Sequence, residues 1–538
     1  MGKKKKTLLA LVEWGIFALI AFMAVGIVNK AFEPKYTYQN SSYPTTSTFE
    51  GFYKMKRDTV DVLFLGSSVA VNAFDPQQLY NEFGIRSYNL SSEAQSIFFS
   101  YYWLKEALRF QHPKAVVLEL YILGPMGKKN SPLNMDETKI RKCMDPMKWS
   151  PVKMEAVRNI AFESAEYAKT QPEGSYTPHS MMSYYLTNIR FHNRWKQGLS
   201  DVDLDRRLYA NAPLKGWSTL LFYVPPEIKE FKPFEHSGSE DRAEVVELQK
   251  EYLRKIGQLC KEEDIQLILV NLPGCGLQPQ GMTDGFVNTC SDLAEEIGAD
   301  YYNYGEKSTY DRIGIDSPIE WPKSHSNYWG SAKLTRFTGK LLSETYQIPA
   351  AEDEQYEVTK SFFDQVVKDV NVQYIDDIDE YLEAVNDPDY TLFFSICEEG
   401  TKDLKETTMQ KLRDLGIKTD LIGKEGCSWC AVVDPKSGVR EEYSENEPLK
   451  LKGVFGRELS DYRITSAGEK SGKPESSIAV NGKNYAANTR GINIIVWDNV
   501  GRTLIDSAAF DTSDGCRPYR TWFPDMLARG EEVAYARW

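Results

Sequence analysis

The segment at residues 61–68, DVLFLGSS, places the strongest constraint on how this chain can fold. Its four successive apolar residues are typical of a strand buried on both faces, as in a parallel sheet. The glycine that follows allows a sharp turn and leaves a serine hydroxyl just beyond the strand. Open α/β sheets place their sites at the carboxyl ends of their strands. The segment therefore predicts a buried strand that presents Ser68 to a site.

Strand and helix patterns alternate immediately after this segment. A helix is predicted from the cap residue Asp75 to Gly84, a strand over residues 87–90, a helix over 94–108 and a strand over 115–120. So dense an alternation indicates a doubly wound α/β domain with a parallel sheet.

The alternation stops at residues 125–235, which are interpreted as a mostly helical insertion, either a lid over the site or a structural addition. It resumes afterwards and completes the domain at about residue 348. The later predicted elements are a helix over 242–263, a strand over 265–270, a helix over 285–297, a strand over 300–304 and a helix over 330–346.

The N-terminus carries a membrane signal. Lysines at positions 3–6 precede residues 7–28, which are apolar apart from Glu13. About 22 such residues suffice to cross a hydrocarbon core of about 30 Å. Because the positive flank stays on the cytoplasmic side, we expect a single-pass cell-membrane protein with its bulk extracytoplasmic. A cleaved signal peptide is the alternative. Residues 31–57 are interpreted as a spacer.

Composition excludes some classes of function. A chain of 538 residues suggests two or three domains, and a net charge of −13 argues against a nucleic-acid partner. Its eight cysteines fit an exported protein, in which some are expected to form disulfides. Cys427 and Cys430 form a CxxC without a second ligand pair, so we interpret them as structural or oxidised. No metal or cofactor is expected.

Three short blocks now fall into a recognisable order. They are Gly66-Ser67-Ser68, the sequence NLSSEAQ at residues 89–95 and the sequence SHSNYWG at residues 324–330. This order resembles the SGNH hydrolase/acyltransferase superfamily over about residues 58–348, apart from the insertion. The bacterial cell-envelope members, similar to teichoic-acid D-alanylation and polysaccharide O-acetylation proteins, are the most alike. The resemblance implies a flavodoxin-like, three-layer α/β/α domain.

The same resemblance implies roles for individual residues. Ser68 would be the nucleophile and His325 the general base, with oxyanion donors at Ser68, at Ser91 and at Asn271.

One position departs from the family pattern. The family has an aspartate three residues before the histidine, and this chain has Pro322 there. Asp316 or Glu320, from the same loop, or a carbonyl group would then have to orient the imidazole.

The C-terminal third has a different texture. An acidic linker at residues 349–360 leads into a β-rich α+β domain at residues 361–538. The sequences VNG at 480–482, RGINIIV at 490–496 and FDT at 510–512 resemble the interleukin-like EMT inducer (ILEI/PANDER-like) domain. Residues 390–438 resemble its second half, an order that a circular permutation would produce. The resemblance implies glycan binding.

Aromatic side chains of this domain are the candidates for stacking on a sugar. They are Trp429, Trp497 and Tyr485, and a scaffolding module in which aromatic rings form the core is the alternative.

Taken together, the sequence predicts acyl transfer or deacylation on a cell-envelope polysaccharide through an acyl-enzyme at Ser68. By family analogy, a membrane-bound O-acyltransferase would be a partner. The competing prediction is a catalytically degenerate SGNH-fold protein that binds glycan or assists assembly, because Pro322 replaces the orienting aspartate.

Overall fold

The chain divides into two units. Unit 1 comprises Met1–Leu220 and Pro225–Val358, and unit 2 comprises Leu221–Val224 and Thr359–Trp538. The computed structural model describes residues 3–34, 45–123, 133, 136–198, 212–218, 233–273, 282–315, 320–321, 325–373, 375–456, 459–513, 515 and 517–520.

Unit 1 begins with a long apolar helix, α1 (Lys3–Phe32). Its stretch Leu9–Phe32 has a mean hydropathy of 2.3 and none of it is buried in the protein. By length and composition, α1 is therefore able to cross a membrane.

The sheet of unit 1 has five parallel strands in the order β2-β1-β3-β4-β5. They are β1 (Val62–Leu65), β2 (Ser87–Asn89), β3 (Ala115–Glu119), β4 (Gln266–Asn271) and β5 (Asp300–Asn303). This order is common in doubly wound sheets, and it places the switch point between β1 and β3. The predicted α/β class with a parallel sheet is confirmed.

Helices connect these strands. In chain order they are α2 (Thr45–Phe52), α3 (Ser68–Ala73), α4 (Pro76–Phe83), α5 (Ile97–Ala107), α6 (Glu137–Met144), α7 (Pro151–Lys169), α8 (Met181–Tyr185), α9 (Thr187–Phe191), α10 (Arg194–Gln197), α11 (Glu247–Glu262), α12 (Asp284–Ile297), α13 (Lys307–Ile313), α14 (Tyr328–Lys340) and α15 (Glu354–Glu357). A π-helical segment, Leu341–Thr345, continues α14. Helices α6 to α10 lie within the predicted insertion, of which residues 212–218 are also described.

Two apolar cores cover the two faces of this sheet. Leu63 and Leu65 of β1 join one core with residues of α2, α5, α7, α11 and α12. Val62 and Phe64 join the other with residues of α3, α4 and α14. Because alternate strand residues point to opposite faces, one run of four apolar residues serves both cores.

Two segments outside the predicted domain contribute to unit 1. Phe49 and Phe52 of α2 are buried, and the Phe49 ring stacks on Trp103 with centroids 3.9 Å apart. The predicted spacer 31–57 thus includes a core helix. Tyr356 of α15, within the predicted linker, is also buried, and its hydroxyl donates to the Ser87 carbonyl at 2.8 Å.

Unit 2 contains a sheet whose ten described strands run mostly antiparallel around β6 (Tyr390–Glu398) and β13 (Gly491–Asp498). The others are β7 (Ser428–Asp434), β8 (Gly438–Ser444), β9 (Leu449–Phe455), β10 (Ser460–Gly468), β11 (Glu475–Val480), β12 (Lys483–Asn484), β14 (Thr503–Asp511) and β15 (Arg517–Arg520). Three helices accompany it: α16 (Lys360–Val372), α17 (Ile378–Ala384) and α18 (Glu406–Asp414). The predicted separate β-rich part is confirmed.

Candidate functional site

Ser68 lies at the carboxyl edge of the parallel sheet. Strand β1 ends at Leu65, the chain turns at Gly66, and Ser67 becomes the N-cap of α3 with its hydroxyl accepting from the Val69 N–H at 3.2 Å. Ser68 is the first residue of α3 and is 9% exposed. The sequence thus fixes the Ser68 hydroxyl between a buried strand and a capped helix.

His325 contacts this hydroxyl directly. The distance between Ser68 Oγ and His325 Nε2 is 2.8 Å, although the two residues are 257 positions apart. His325 precedes Asn327, which caps α14 by accepting from the Gly330 N–H at 3.2 Å. Helix starts therefore hold both members of the Ser68–His325 pair.

The imidazole is set up as a proton acceptor. Burial lowers the pKa of His325 from its ordinary value of 6.5 to about 4. It is therefore neutral at neutral pH, and a neutral imidazole within hydrogen-bond reach can take a serine proton.

Glu119 supports the turn that carries Ser68. It ends β3, the neighbour of β1, and its Oε2 accepts from the Ser67 N–H at 2.9 Å and from the Ser67 hydroxyl at 2.8 Å. Its other oxygen accepts from the Tyr121 N–H. Burial raises the pKa of Glu119 to about 7.

The Glu119 side chain also helps to explain why the residue before Ser67 is a glycine. A Cβ on Gly66 would lie 2.7 Å from the Glu119 Cβ and 2.9 Å from the Ala70 Cβ, both closer than real contacts allow. Sequence reasoning missed Glu119. The available signal was an acidic residue at the end of an otherwise apolar strand, AVVLE.

The second block packs along the Ser68 turn. Asn89 donates from Nδ2 to the carbonyls of Ala70 and Phe74, at 2.8 and 3.0 Å. The Ser92 N–H donates to the Gly66 carbonyl at 3.3 Å. Ser91 is completely buried, and its hydroxyl has no partner among the residues that the structure describes. Ser91 thus lies in a turn joined to the Ser68 turn by a backbone hydrogen bond.

Asn271 is engaged elsewhere. It ends β4 and is buried, and its Nδ2 donates to the Tyr301 hydroxyl at 2.5 Å. Within the described parts of the chain, no hydrogen bond joins Asn271 to Ser68. The prediction of an oxyanion role for Asn271 gains no support from this geometry.

Of the two carboxylates predicted to orient His325, the structure describes Glu320. Glu320 is buried; its carboxylate pairs with Lys333 at 2.8 Å, and its carbonyl accepts from the Asn327 N–H at 3.1 Å. Glu320 thus braces the loop that carries His325. Asp316 and Pro322 lie outside the described residues.

A short segment of the insertion, residues 212–218, joins α3 to α14. Helix α3 begins with Ser68, and α14 begins three residues after His325. Trp217 is completely buried, and its Nε1 donates to the Asn72 carbonyl of α3 at 3.2 Å and to the Ser331 hydroxyl of α14 at 3.0 Å. The Lys215 carbonyl accepts from the Asn89 N–H at 2.8 Å. The described part of the insertion therefore braces the site from beside β2.

The three predicted sugar-stacking residues of unit 2 have different environments. Trp429 is completely buried and its Nε1 donates to Glu441, so its ring has no exposed face for a sugar. The prediction for Trp429 gains no support from this geometry, because the ring belongs to the core. Trp497 and Tyr485 are neighbours, with ring centroids 6.1 Å apart.

Trp497 borders a cavity of about 600 Å³ in unit 2. Phe455 adds a second aromatic wall, and Asp389, Lys436 and Arg502 supply charged groups at its edge. Aromatic faces beside polar and charged groups are suited to a polar ligand with apolar faces.

Comparison of the chain with protein-family models and with curated proteins gives no match.

Proposed function

We propose that this protein is an extracytoplasmic SGNH-type acyltransferase or esterase that acts on O-acyl groups, such as O-acetyl, of a cell-envelope polysaccharide. The observation that carries the proposal is the 2.8 Å contact between Ser68 Oγ and Nε2 of the half-buried His325 at the carboxyl edge of a parallel sheet. The lowered pKa of His325 keeps this imidazole neutral at neutral pH. Serine and imidazole in this relation form the minimal unit of acyl transfer.

The reaction has two halves. Ser68 Oγ attacks the ester carbonyl of the acyl donor while His325 Nε2 takes the hydroxyl proton. His325 then returns that proton to the departing alcohol, which leaves an acyl ester on Ser68. A sugar hydroxyl or water next attacks the ester, with His325 as base, and Ser68 is regenerated.

Charge on the carbonyl oxygen needs donors during both halves. The Ser68 N–H, at the first position of α3, has no intrahelical acceptor and is suited to this task. The turn at Ser91 is the second candidate donor.

The membrane setting belongs to the same proposal. Helix α1 would anchor the protein with its lysine-rich start in the cytoplasm and both units outside. A membrane-bound O-acyltransferase would supply the acyl group if the enzyme transfers rather than hydrolyses.

The central test is labelling of the full chain with a fluorophosphonate. We expect an adduct on Ser68 that is absent in Ser68→Ala and forms more slowly, by about 10²-fold or more, in His325→Ala. Ser308→Ala, a change at an exposed serine of α13, is the matched control and should label normally. Absence of any adduct on the folded chain would overturn the catalytic proposal.

A non-catalytic role is the second candidate. Pro322 stands where the resembled family has its orienting aspartate, and a proline side chain cannot hold an imidazole. In that case, an SGNH-fold protein without activity would bind glycan or assist assembly. Absence of labelling, together with retained glycan binding, would favour this candidate.

Glycan binding is proposed for the cavity beside Trp497. We expect the full chain to bind fragments of envelope polysaccharide on a glycan array, and Lys436→Ala to weaken binding by about tenfold through loss of a charged hydrogen bond. Lys450→Ala, at an exposed lysine of β9 on the same sheet but outside the cavity lining, is the control. A blank array for the folded protein would favour a scaffolding module.

A further inference from the structure

Exposed apolar side chains of unit 1 are concentrated in one part of the chain. Outside α1, the described part of unit 1 has eight large apolar side chains that are exposed, and seven of them fall within residues 149–195. These seven, called the apolar patch below, are Trp149, Met154, Phe162, Met181, Met182, Ile189 and Trp195. Soluble surfaces rarely concentrate such residues unless they meet a partner.

The apolar patch is contiguous with the end of α1. Asn29 donates from Nδ2 to the Tyr185 carbonyl at 3.4 Å, and its Oδ1 accepts from the Asn188 N–H at 2.9 Å. The Thr187 hydroxyl donates to the Asn29 carbonyl at 3.1 Å, and Arg194 donates to the Phe32 carbonyl at 2.9 Å. Helices α8 to α10 are thus bonded to the last turn of α1.

Tyr185 joins this contact to the rest of the patch. Its ring lies 5.2 Å from the Trp149 ring, and its hydroxyl donates to the Met154 carbonyl at 3.0 Å. Met154 and Phe162 are eight positions apart on α7, so they share one helix face. Trp149 and Met154 of the patch therefore contact the segment that is bonded to the last turn of α1.

The length of the apolar part of α1 indicates the level in a membrane at which its last turn would lie. If the apolar span starts at Leu9, twenty residues at 1.5 Å each carry it about 30 Å, to Val28. Asn29 is the next residue, so its partners Tyr185 and Asn188 lie at the level of the lipid head groups.

The composition of the patch fits that level. Trp and other amphipathic side chains are enriched at membrane interfaces, where an apolar body meets a polar layer. Between Met181 and Gly198 the chain has three cations, Arg190, Arg194 and Lys196, and no acidic residue, in a protein of net charge −13. Arg190 is paired with Glu137 of α6 at 2.9 Å, so the net positive charge of this segment rests mainly on Arg194 and Lys196. Cations beside apolar residues favour a surface of anionic lipid.

We propose that the apolar patch is a bilayer-contacting surface, on which unit 1 rests against the outer leaflet beside α1. The proposal deepens the proposed function, because it depends on α1 being a membrane anchor. It does not depend on the chemistry of Ser68. The ligand is lipid at the interface, with anionic head groups preferred.

Depth-dependent quenching in nanodiscs of neutral and anionic lipid tests the proposal with the full chain. A bimane label would be placed at Met182→Cys or Trp195→Cys. Lipids with a spin label near the head group would serve as the shallow quencher, and lipids with a spin label midway along the acyl chain would serve as the deep quencher. The matched control is Lys307→Cys on the exposed face of α13. Ile20→Cys within α1 reports on the anchor, and the parent chain provides the background of native thiols.

We expect lipid-borne quencher to reduce bimane emission at Met182 and Trp195 by about twofold or more relative to Lys307, and more strongly with anionic lipid. Quenching at Ile20 but not at Met182 or Trp195 would overturn the proposal while leaving the anchor intact. Absence of quenching at Ile20 would overturn the anchor and this proposal together. Fluorophosphonate labelling of the same samples reads the catalytic proposal separately.

Discussion

The imidazole of His325 should remain unprotonated well below neutral pH, because burial lowers its pKa to about 4. Protonation would remove its ability to accept the Ser68 proton. We therefore expect the acid limb of the rate of fluorophosphonate labelling to lie near pH 4, and the rate to stay level from about pH 5 to neutrality. The measurement is the labelling rate of the full chain as a function of pH.

An acid limb at pH 6 to 7 would contradict this expectation. It would indicate that a carboxylate from the loop before His325, such as Asp316, raises the pKa of the imidazole in the working protein.

The raised pKa of Glu119 predicts that the stability of the fold decreases as the pH rises, whereas the labelling rate decreases as the pH falls. Its pKa is 4.5 in an unfolded chain and about 7 in the fold, so the folded protein binds more protons between these values. Stability contributed by this group is therefore full below pH 4.5 and declines as the pH rises towards 7. Glu119→Gln cannot ionise, and we expect its melting temperature to improve relative to the parent between pH 5 and pH 8.

Thermal unfolding at the two pH values measures this difference. Glu263→Gln, at an exposed carboxylate after α11, is the control and should show no such trend. A Glu119→Gln difference that is constant with pH would contradict a buried, proton-binding carboxyl under the Ser68 turn.

At the level of single residues, the sequence could predict what local chemistry determines. Asp75 as a cap and Gly84 as the end of α4 follow from side-chain hydrogen bonding and left-handed backbone, and the structure has both. The contacts of Asn271 and Trp429 depend on which neighbours the fold supplies. Such information is spread over distant parts of the chain, so their predicted roles found no support.

At the level of elements, the segment 212–218 acts as a brace between α3 and α14. Trp217→Phe would keep most of the packing but leave the Asn72 carbonyl and the Ser331 hydroxyl without their buried donor. Such a loss costs about 1–3 kcal/mol. We expect a lower melting temperature and slower labelling of Ser68, measured on the full chain.

Trp195→Phe is the matched control, since it makes the same change at an exposed tryptophan of the same insertion. Normal labelling in Trp217→Phe would show that the brace does not position the Ser68–His325 pair.

The predicted boundaries of elements are wrong where tertiary hydrogen bonds compete with the helical periodicity of apolar residues. Residues 242–246 have a helical pattern, yet α11 begins only at Glu247, because the Ala243 N–H donates to Gly285 and Thr289 of the next helix. Strands β8 and β9 were not predicted. Many of their residues are charged and exposed, so their sequences lack a strong apolar alternation.

At the level of the whole molecule, the cysteines were expected to include disulfides, but the six in the described residues are free and buried. They are Cys143, Cys260, Cys290, Cys397, Cys427 and Cys430, and the other two, Cys275 and Cys516, lie outside that part of the chain. Burial raises the pKa of these thiols, which disfavours reaction.

We expect a Cys275→Ser/Cys516→Ser variant to show no rapid thiol reaction when folded, and six reactive thiols after unfolding without reductant. Titration with a chromogenic disulfide measures both numbers. Fewer than six after unfolding would reveal a disulfide and contradict the structure.

The bonding of Asn29 to α8 and α9 has a consequence for the product. Because the last turn of α1 and the folded part of unit 1 share hydrogen bonds, the proposed membrane anchor would hold Ser68 at a constant height above the bilayer. A catalyst at a constant height modifies only the segment of a growing polymer that is passing that height. Under the proposed function, each polymer segment would be acylated or deacylated while it lies close to the membrane. Segments that have already moved further out would keep the pattern of O-acyl groups that they had when they left the membrane.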